Sequence, residues 1–196
     1  MKKATKTLLL MLCAVVLVVS SVLGTVAYLT DTKTVENTFT VGKVKITMDE
    51  APVDEYGAAI TGDRRATNEY KLIPGHKYIK DPTIHVTEKS EDCWVFAKIE
   101  SGLADGVITT NISNEKWKPV AGTTNVYYYN EKIESAATVT DIVVFTEFTV
   151  DGAIDNDELD DNDGKTVAVT GYAVQADGFA TAEAAWVATF GAPQNP

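Results

Sequence analysis

The chain changes character between Gly24 and Glu50. Before this junction lies an almost unbroken apolar run, Leu8 to Leu23, which follows three lysines. After the junction, apolar and polar residues alternate as in a strand with one buried face. A basic start, a short apolar core and a segment of small residues are typical of a secretory signal peptide. The junction therefore predicts an exported chain whose folded part begins after it.

Two small residues, Thr25 and Ala27, indicate where the export signal is removed. They stand at the third and first positions before the bond from Ala27 to Tyr28, and signal peptidases require small side chains at both positions. Residues 1–27 are therefore predicted to be a signal peptide, with Tyr28 as the first mature residue. The apolar core spans 16 residues, short of the roughly 20 that a membrane span needs. An uncleaved anchor is the alternative.

The chain after residue 27 is strongly acidic. It carries all 28 acidic residues but only 14 of the 17 basic ones, because three lysines lie in the leader, and its net charge is therefore −14. This charge disfavours nucleic acid and anionic lipid as partners. We expect contact with a membrane only through an uncleaved signal peptide. We also expect acid, salt or divalent ions to promote any self-association, because they reduce the repulsion between copies.

Alternating apolar residues predict a series of strands in the mature chain. The clearest are Phe39–Asp49, Thr83–Thr87, Asp92–Ser101, Trp117–Val120, Val126–Tyr129 and Thr166–Ala176. The segment 103–112 is predicted to be a weak strand or a short helix. Thr138–Val150 is predicted to be one strand buried on both faces, or two strands joined by a kink. A short helix follows Thr181, which is a suitable N-cap. The fold class is all-β, an antiparallel sandwich with a few short helices.

Three segments resemble the TasA/camelysin family of exported Gram-positive proteins. They are Ala27–Asp31 with Asn37–Val44, the Leu-x-Pro-Gly pattern at Leu72–Gly75 with Lys80-Asp81-Pro82, and Gly171–Phe179. The resemblance implies a jelly-roll sandwich and cleavage by a dedicated ER-type signal peptidase. It also implies that the protein is secreted to the extracellular matrix or the cell surface of a Gram-positive bacterium.

The same resemblance implies a structural subunit of biofilm-matrix fibres. Residues 28–38 would be an N-terminal arm that acts as a donor strand, and residues 39–196 would be the sandwich domain. The donor residues are Tyr28, Thr30, Thr32, Thr34 and Phe39. Pairing of the arm with an open sheet edge of another copy would give a head-to-tail homopolymer, and a related fibre subunit is the alternative partner. From the residues alone, the arm can also be interpreted as a frayed terminus.

Two other functions stay open at this point. Camelysin relatives are described as surface metallo-endopeptidases, but a zincin needs His-Glu-x-x-His, and the only two histidines, His76 and His85, do not form that motif. We therefore expect neither zinc nor catalysis. A monomeric or accessory binding module at the cell surface is the third hypothesis. Its site would be the acidic loop or Tyr127–Tyr129, although these tyrosines are better interpreted as an edge strand with one wet face.

The stretch Asp151–Gly164 is rich in aspartate and raises the question of calcium. Aligning Gly164 with the invariant glycine of an EF-hand loop puts Leu159 at the first ligand position and Thr170 at the twelfth, and neither is a suitable ligand there. A solvated loop is the favoured interpretation, and no cofactor is expected. The weak candidates for a calcium site are Asp155, Asp157, Asp161 and Asp163.

Cys93 is the single cysteine that remains if Cys13 leaves with the signal peptide. It therefore has no partner for an intramolecular disulfide. Its neighbours, Trp94, Val95 and Phe96, predict a buried thiol that fills space in the core. An intermolecular disulfide or a reactive thiol is the alternative.

Overall fold

The structure is a computed structural model that describes residue 11 and residues 43–155, 157, 159, 162 and 164–192. The chain divides into two compact units, Met1–Thr40 and Val41–Pro196, and every described strand belongs to the second. Several sequence predictions lie outside the described residues and stay predictions. They are the signal peptide (beyond residue 11), the cleavage residues Thr25, Ala27 and Tyr28, and the donor residues Tyr28, Thr30, Thr32, Thr34 and Phe39.

The described residues form ten strands in three antiparallel sheets. The first sheet contains β1 (Ile46–Asp49), β3 (Thr83–Val86) and β8 (Thr140–Val143), in that order. The second contains β10 (Val167–Gln175), β4 (Cys93–Ser101), β7 (Val126–Tyr129) and β6 (Trp117–Pro119). The third contains β2 (Lys77–Ile79), β9 (Glu147–Val150) and β5 (Ile108–Thr110).

The first and second sheets share the main hydrophobic core. Successive side chains of a strand point to opposite faces, so each strand contributes every second residue. The buried members are Ile84, Val86 and Ile142 from the first sheet, Cys93, Val95, Ala97 and Trp117 from the second, and Ile133, Val144 and Phe145 from the connections. The predicted all-β antiparallel sandwich is confirmed.

The other face of the second sheet is covered by a short helix, α1 (Ala182–Phe190). The hydroxyl of Thr181 accepts a hydrogen bond from the amide of Ala184 at 3.2 Å, which confirms the predicted N-cap. Ala185 and Trp186 pack against Phe96 of β4. The third sheet has a small core of its own, in which the rings of Tyr78 and Phe148 stack with centroids 4.9 Å apart.

The apolar stretch 138–150 forms two strands. β8 belongs to the first sheet and β9 to the third, and Val144 and Phe145 between them are buried in the main core. The apolar run continues between the strands because the connection is buried as well as alternate residues of both strands. Of the two alternatives for this segment, the kinked pair of strands is confirmed, and the segment 103–112 contains the short strand β5.

One expectation about exposure was wrong. Tyr127–Tyr129 was expected at a sheet edge, but β7 lies between β4 and β6. Tyr127 and Tyr129 pack against the main core, and Tyr128 packs under α1. The polar segment 50–68 is a loop that is mostly exposed, but Glu50 and Val53 are buried in it. Its polar composition did not reveal that Glu50 has a buried partner, described below.

Candidate functional site

The second sheet ends at β10, which is nine residues long. β10 pairs with β4 along its whole length, from Val167 opposite Ser101 to Gln175 opposite Cys93. No other described strand pairs with the outer edge of β10. A long unpaired edge presents a row of free backbone groups and is a template for another strand.

The register shows which backbone groups face outward. The amide of Gly102 donates to the carbonyl of Thr166 at 2.8 Å, and the amide of Ala176 donates to the carbonyl of Asp92 at 2.7 Å. In an antiparallel pair, residues alternate between bonding to the partner strand and pointing away from it. The even-numbered residues of β10 therefore bond to β4. The residues with outward amides and carbonyls are Val167, Val169, Gly171, Ala173 and Gln175.

The first sheet has a similar open edge at β1. The amide of Thr87 donates to the carbonyl of Lys45 at 2.9 Å, so the odd-numbered residues around β1 bond to β3. The backbone groups of Ile46 and Met48 face outward by the same alternation. Within residues 43–155, 157, 159, 162 and 164–192, no strand pairs with this outer edge either.

The two open edges approach each other at Gly171. A Cβ atom at this position would lie 3.6 Å from Met48 Sδ and 3.0 Å from Ile84 Cγ1, so a larger residue there would press on the core. We call the groove between these edges the seam. It is flanked by half-buried residues, with Gly171 at the closest approach. Four apolar residues among them pack against the main core: Ile46, Met48, Val169 and Ala173. The seam therefore leaves an apolar strip of the core partly open to solvent.

The other sheet edges are less suited to pairing. β6 has three residues and ends in Pro119, which has no amide hydrogen. On β8, the carbonyl of Val143 accepts a hydrogen bond from Trp117 Nε1 at 3.0 Å. β2 and β5 have three residues each. β10 is long and contains no proline and no charged residue. Its outer edge, which forms one side of the seam, is therefore the edge of the described fold best suited to accept a strand.

The thiol of Cys93 is buried inside the sandwich. Burial raises the pKa of this thiol to about 11, with a further contribution from the charge of Asp92. The predicted core role of Cys93 is confirmed. Because the thiolate is the reactive form and the side chain is enclosed, an intermolecular disulfide would require the sandwich to open.

The structure describes only two of the four weak candidates for a calcium site. Asp155 and Asp157 are exposed, and Asp161 and Asp163 lie outside the part of the chain that is described. No group of three His, Cys, Asp or Glu residues within the described ranges is arranged to hold a metal ion. The Nε2 atom of His76 lies 2.9 Å from the carbonyl oxygen of Tyr56.

Sequence reasoning placed β10 correctly but missed the seam. Periodicity predicts which residues lie on one face of a strand, but not which strand is a neighbour of which. The available signal was the pair of small residues Gly171 and Ala173 on one face of a long uncharged strand. Glycine inside a strand often marks a close approach of another backbone, which is its role here.

Among the described residues, no helix has the length and apolar character needed to cross a membrane. No protein-family model, curated protein or solved structure matches this chain. Its function is therefore inferred from the seam.

Proposed function

We propose that the protein is an exported structural subunit of extracellular biofilm-matrix fibres, in which the seam of one copy accepts the N-terminal arm of the next. The observation that carries this proposal is the unpaired, uncharged nine-residue edge of β10 beside an apolar strip of the core. A second observation supports it, because an extended arm is long enough to span β10. The resemblance of three segments to the TasA/camelysin family also supports the proposal.

The arm fits the seam in length. At about 3.3 Å per residue, β10 is about 30 Å long and an extended segment 28–39 is about 40 Å long. Its side chains also sort by face, because successive residues of an extended chain point to opposite sides. Leu29, Val35 and Phe39 share one side with Asp31, Lys33 and Asn37, and the three apolar side chains would cover the apolar strip. Tyr28, Thr30, Thr32 and Thr34 share the other side and would face solvent.

Strand donation between copies produces a filament. The arm and the seam are different surfaces, so each contact is head-to-tail and leaves one arm and one seam free at the ends. Backbone hydrogen bonds along the outward residues of β10 supply affinity, each with a net contribution of about 0.5–1.5 kcal/mol. Covering the apolar strip adds to this. Cleavage between Ala27 and Tyr28 by a signal peptidase would free the arm from the membrane.

The other occupant of the seam is the arm of the same copy, which would give a monomer. Single particles in the experiments below would therefore indicate a monomeric or accessory role at the cell surface. No observation on residues 43–155, 157, 159, 162 and 164–192 favours the endopeptidase hypothesis.

Ala173→Lys is expected to abolish filament formation by the chain from Tyr28 to Pro196. Ala173 is half-buried and lies on the seam side of β10, so a strand in the seam would cover the introduced ammonium group and strip it of water. In the single copy, the lysine stem can extend along the edge and keep its charge in solvent, so the fold is retained. Sedimentation and negative-stain electron microscopy measure assembly, and circular dichroism checks the fold.

Ala168→Lys is the matched control. It makes the same change in the same strand, but Ala168 is exposed and points to the opposite face. We expect this variant to form filaments as the parent does. If Ala173→Lys also assembles at the parent's yield, the seam is not the acceptor.

A further inference from the structure

His85 has a carboxylate at each of its ring nitrogens. It lies on β3, the middle strand of the first sheet, with only 15% of its side chain exposed. Its Nδ1 atom is 2.7 Å from Asp141 Oδ1 on β8, and its Nε2 atom is 2.9 Å from Asp49 Oδ1 on β1. One imidazole ring therefore bridges both neighbouring strands.

The two contacts need a doubly protonated ring. A neutral imidazole has one N–H group, whereas the imidazolium has two. The contact with Asp141 is an aligned hydrogen bond, but the contact of Nε2 with Asp49 is not aligned and attracts only as an ion pair. When the ring is neutral, at least one of the two contacts is lost. If Nδ1 keeps its proton, the lone pair of Nε2 faces a carboxylate oxygen.

The surrounding charges also favour the protonated ring. Asp49 is hydrogen-bonded to Arg64, whose Nη1 atom is 2.8 Å from Asp81 Oδ2. Lys45 is exposed on the same face of β1. With a neutral His85, three carboxylates and one guanidinium give this cluster a charge of −2, and protonation reduces it to −1. Burial alone would lower the pKa of His85, but Asp141 and Asp49 outweigh it, and the pKa is raised above 6.5.

We propose that His85 is a proton-operated clasp, which holds β1 and β8 to β3 when protonated and releases one of them when neutral. The clasp is a property of the single chain and does not depend on strand donation. The position of His85 beside β1 also affects the seam. Because β1 is one wall of the seam, proton uptake by His85 fixes that wall in place.

The direction of the pH dependence follows from the raised pKa. A group whose pKa is higher in the folded state stabilises the fold most when it is protonated in both states. The stabilisation by the clasp is therefore fully present below pH 6.5, the ordinary value for histidine, and is lost as the pH rises through the higher folded-state value.

Urea unfolding of the chain from Tyr28 to Pro196, between about pH 5 and about pH 9, tests the clasp. We expect the urea concentration at the midpoint to fall for the parent as the pH rises above the ordinary pKa of histidine. His85→Gln cannot change its charge, so this variant should lack the fall and should lose stability mainly in acid. His76→Gln is the control, since His76 is the only other histidine, and it should follow the parent. A His85→Gln variant with the parent's pH dependence would overturn the proposal.

Asp141→Asn gives a second test that does not depend on removing the ring. Asp141 is 63% exposed, so the variant should fold. Proton NMR of the His85 ring should show a pKa shifted down towards 6.5, and the β3 and β8 amides should lose hydrogen-exchange protection relative to the parent in mild acid. An unchanged titration of His85 in Asp141→Asn would show that the bridge has no energetic effect, and the proposal would fail.

Discussion

Lys80→Met is expected to lower the free energy of unfolding by about 3–5 kcal/mol. Lys80 Nζ lies 2.6 Å from Glu50 Oε2, and only 10% and 4% of the two side chains are exposed. The other carboxylate oxygen, Oε1, has no hydrogen-bond partner among the described residues. Loss of the ammonium group would leave a carboxylate buried without compensation. Urea titration at neutral pH measures the effect.

Two comparisons identify burial of the pair as the cause. The double variant Glu50→Leu/Lys80→Met removes both charges, and we expect it to recover most of the lost stability, as apolar replacements of buried pairs often do. Lys77→Met makes the same change in an ion pair that is exposed, with Lys77 at 66% and Glu147 at 39%. This variant should cost less than about 1 kcal/mol. Equal losses in Lys80→Met and Lys77→Met would contradict the argument.

The pair also explains why the segment 50–68 stays on the sandwich. Glu50 directly follows β1, and its backbone forms two hydrogen bonds of 2.8 Å with that of Arg65. Lys80 lies between β2 and β3, and its Nζ atom is 5.7 Å from the centroid of the Tyr70 ring. Burial and the carboxylates of Glu50 and Asp81 raise the pKa of the Tyr70 hydroxyl, so it stays protonated at neutral pH.

Gly57→Ala is the second change with a large expected effect, about 3 kcal/mol or more. Gly57 has a φ of +76°, which is unfavourable for alanine. An added Cβ would also lie 2.8 Å from the Cα atom of Tyr78, and that backbone is held by a hydrogen bond from the amide of Ile79 to the carbonyl of Gly57. Either the turn or β2 must therefore shift. Thermal and urea unfolding measure the loss.

Gly106→Ala separates the two causes. Gly106 has a similar φ of +86°, but a Cβ atom there would have no neighbour within 4 Å. We expect this variant to lose only the conformational part, about 1–2 kcal/mol. If both variants lose the same amount, the close approach of Gly57 to Tyr78 is not important for stability.

Alternation of apolar residues was sufficient to predict the central strands. β4, β7 and β10 have the main core on one face and α1 on the other, whereas β3 has the main core on one face and the His85 ion pairs on the other. The helix was predictable because Thr181 is a local cap signal. In each case, the information lies within about ten residues of the chain.

The open edge and the buried ion pair depend on distant residues and were not predictable. Tyr127–Tyr129 was assigned to an edge because a run of tyrosines fits an edge strand as well as an interior one. The partners Glu50 and Lys80 are 30 positions apart, and nothing local distinguishes them from solvated charges. The seam arises where β10 and β1, from two different sheets, lie close together at Gly171. This approach depends on how the two sheets pack.

The central claim is that the arm, residues 28–38, fills the seam of the next copy. Negative-stain electron microscopy of the chain from Tyr28 to Pro196, beside a chain that starts at Gly42, tests it most directly. Both proteins keep the seam, but only the first has an arm. At neutral and mildly acidic pH, we expect filaments from the first protein and single particles from the second. Single particles from both, or filaments from both, would contradict assembly by donation of the arm.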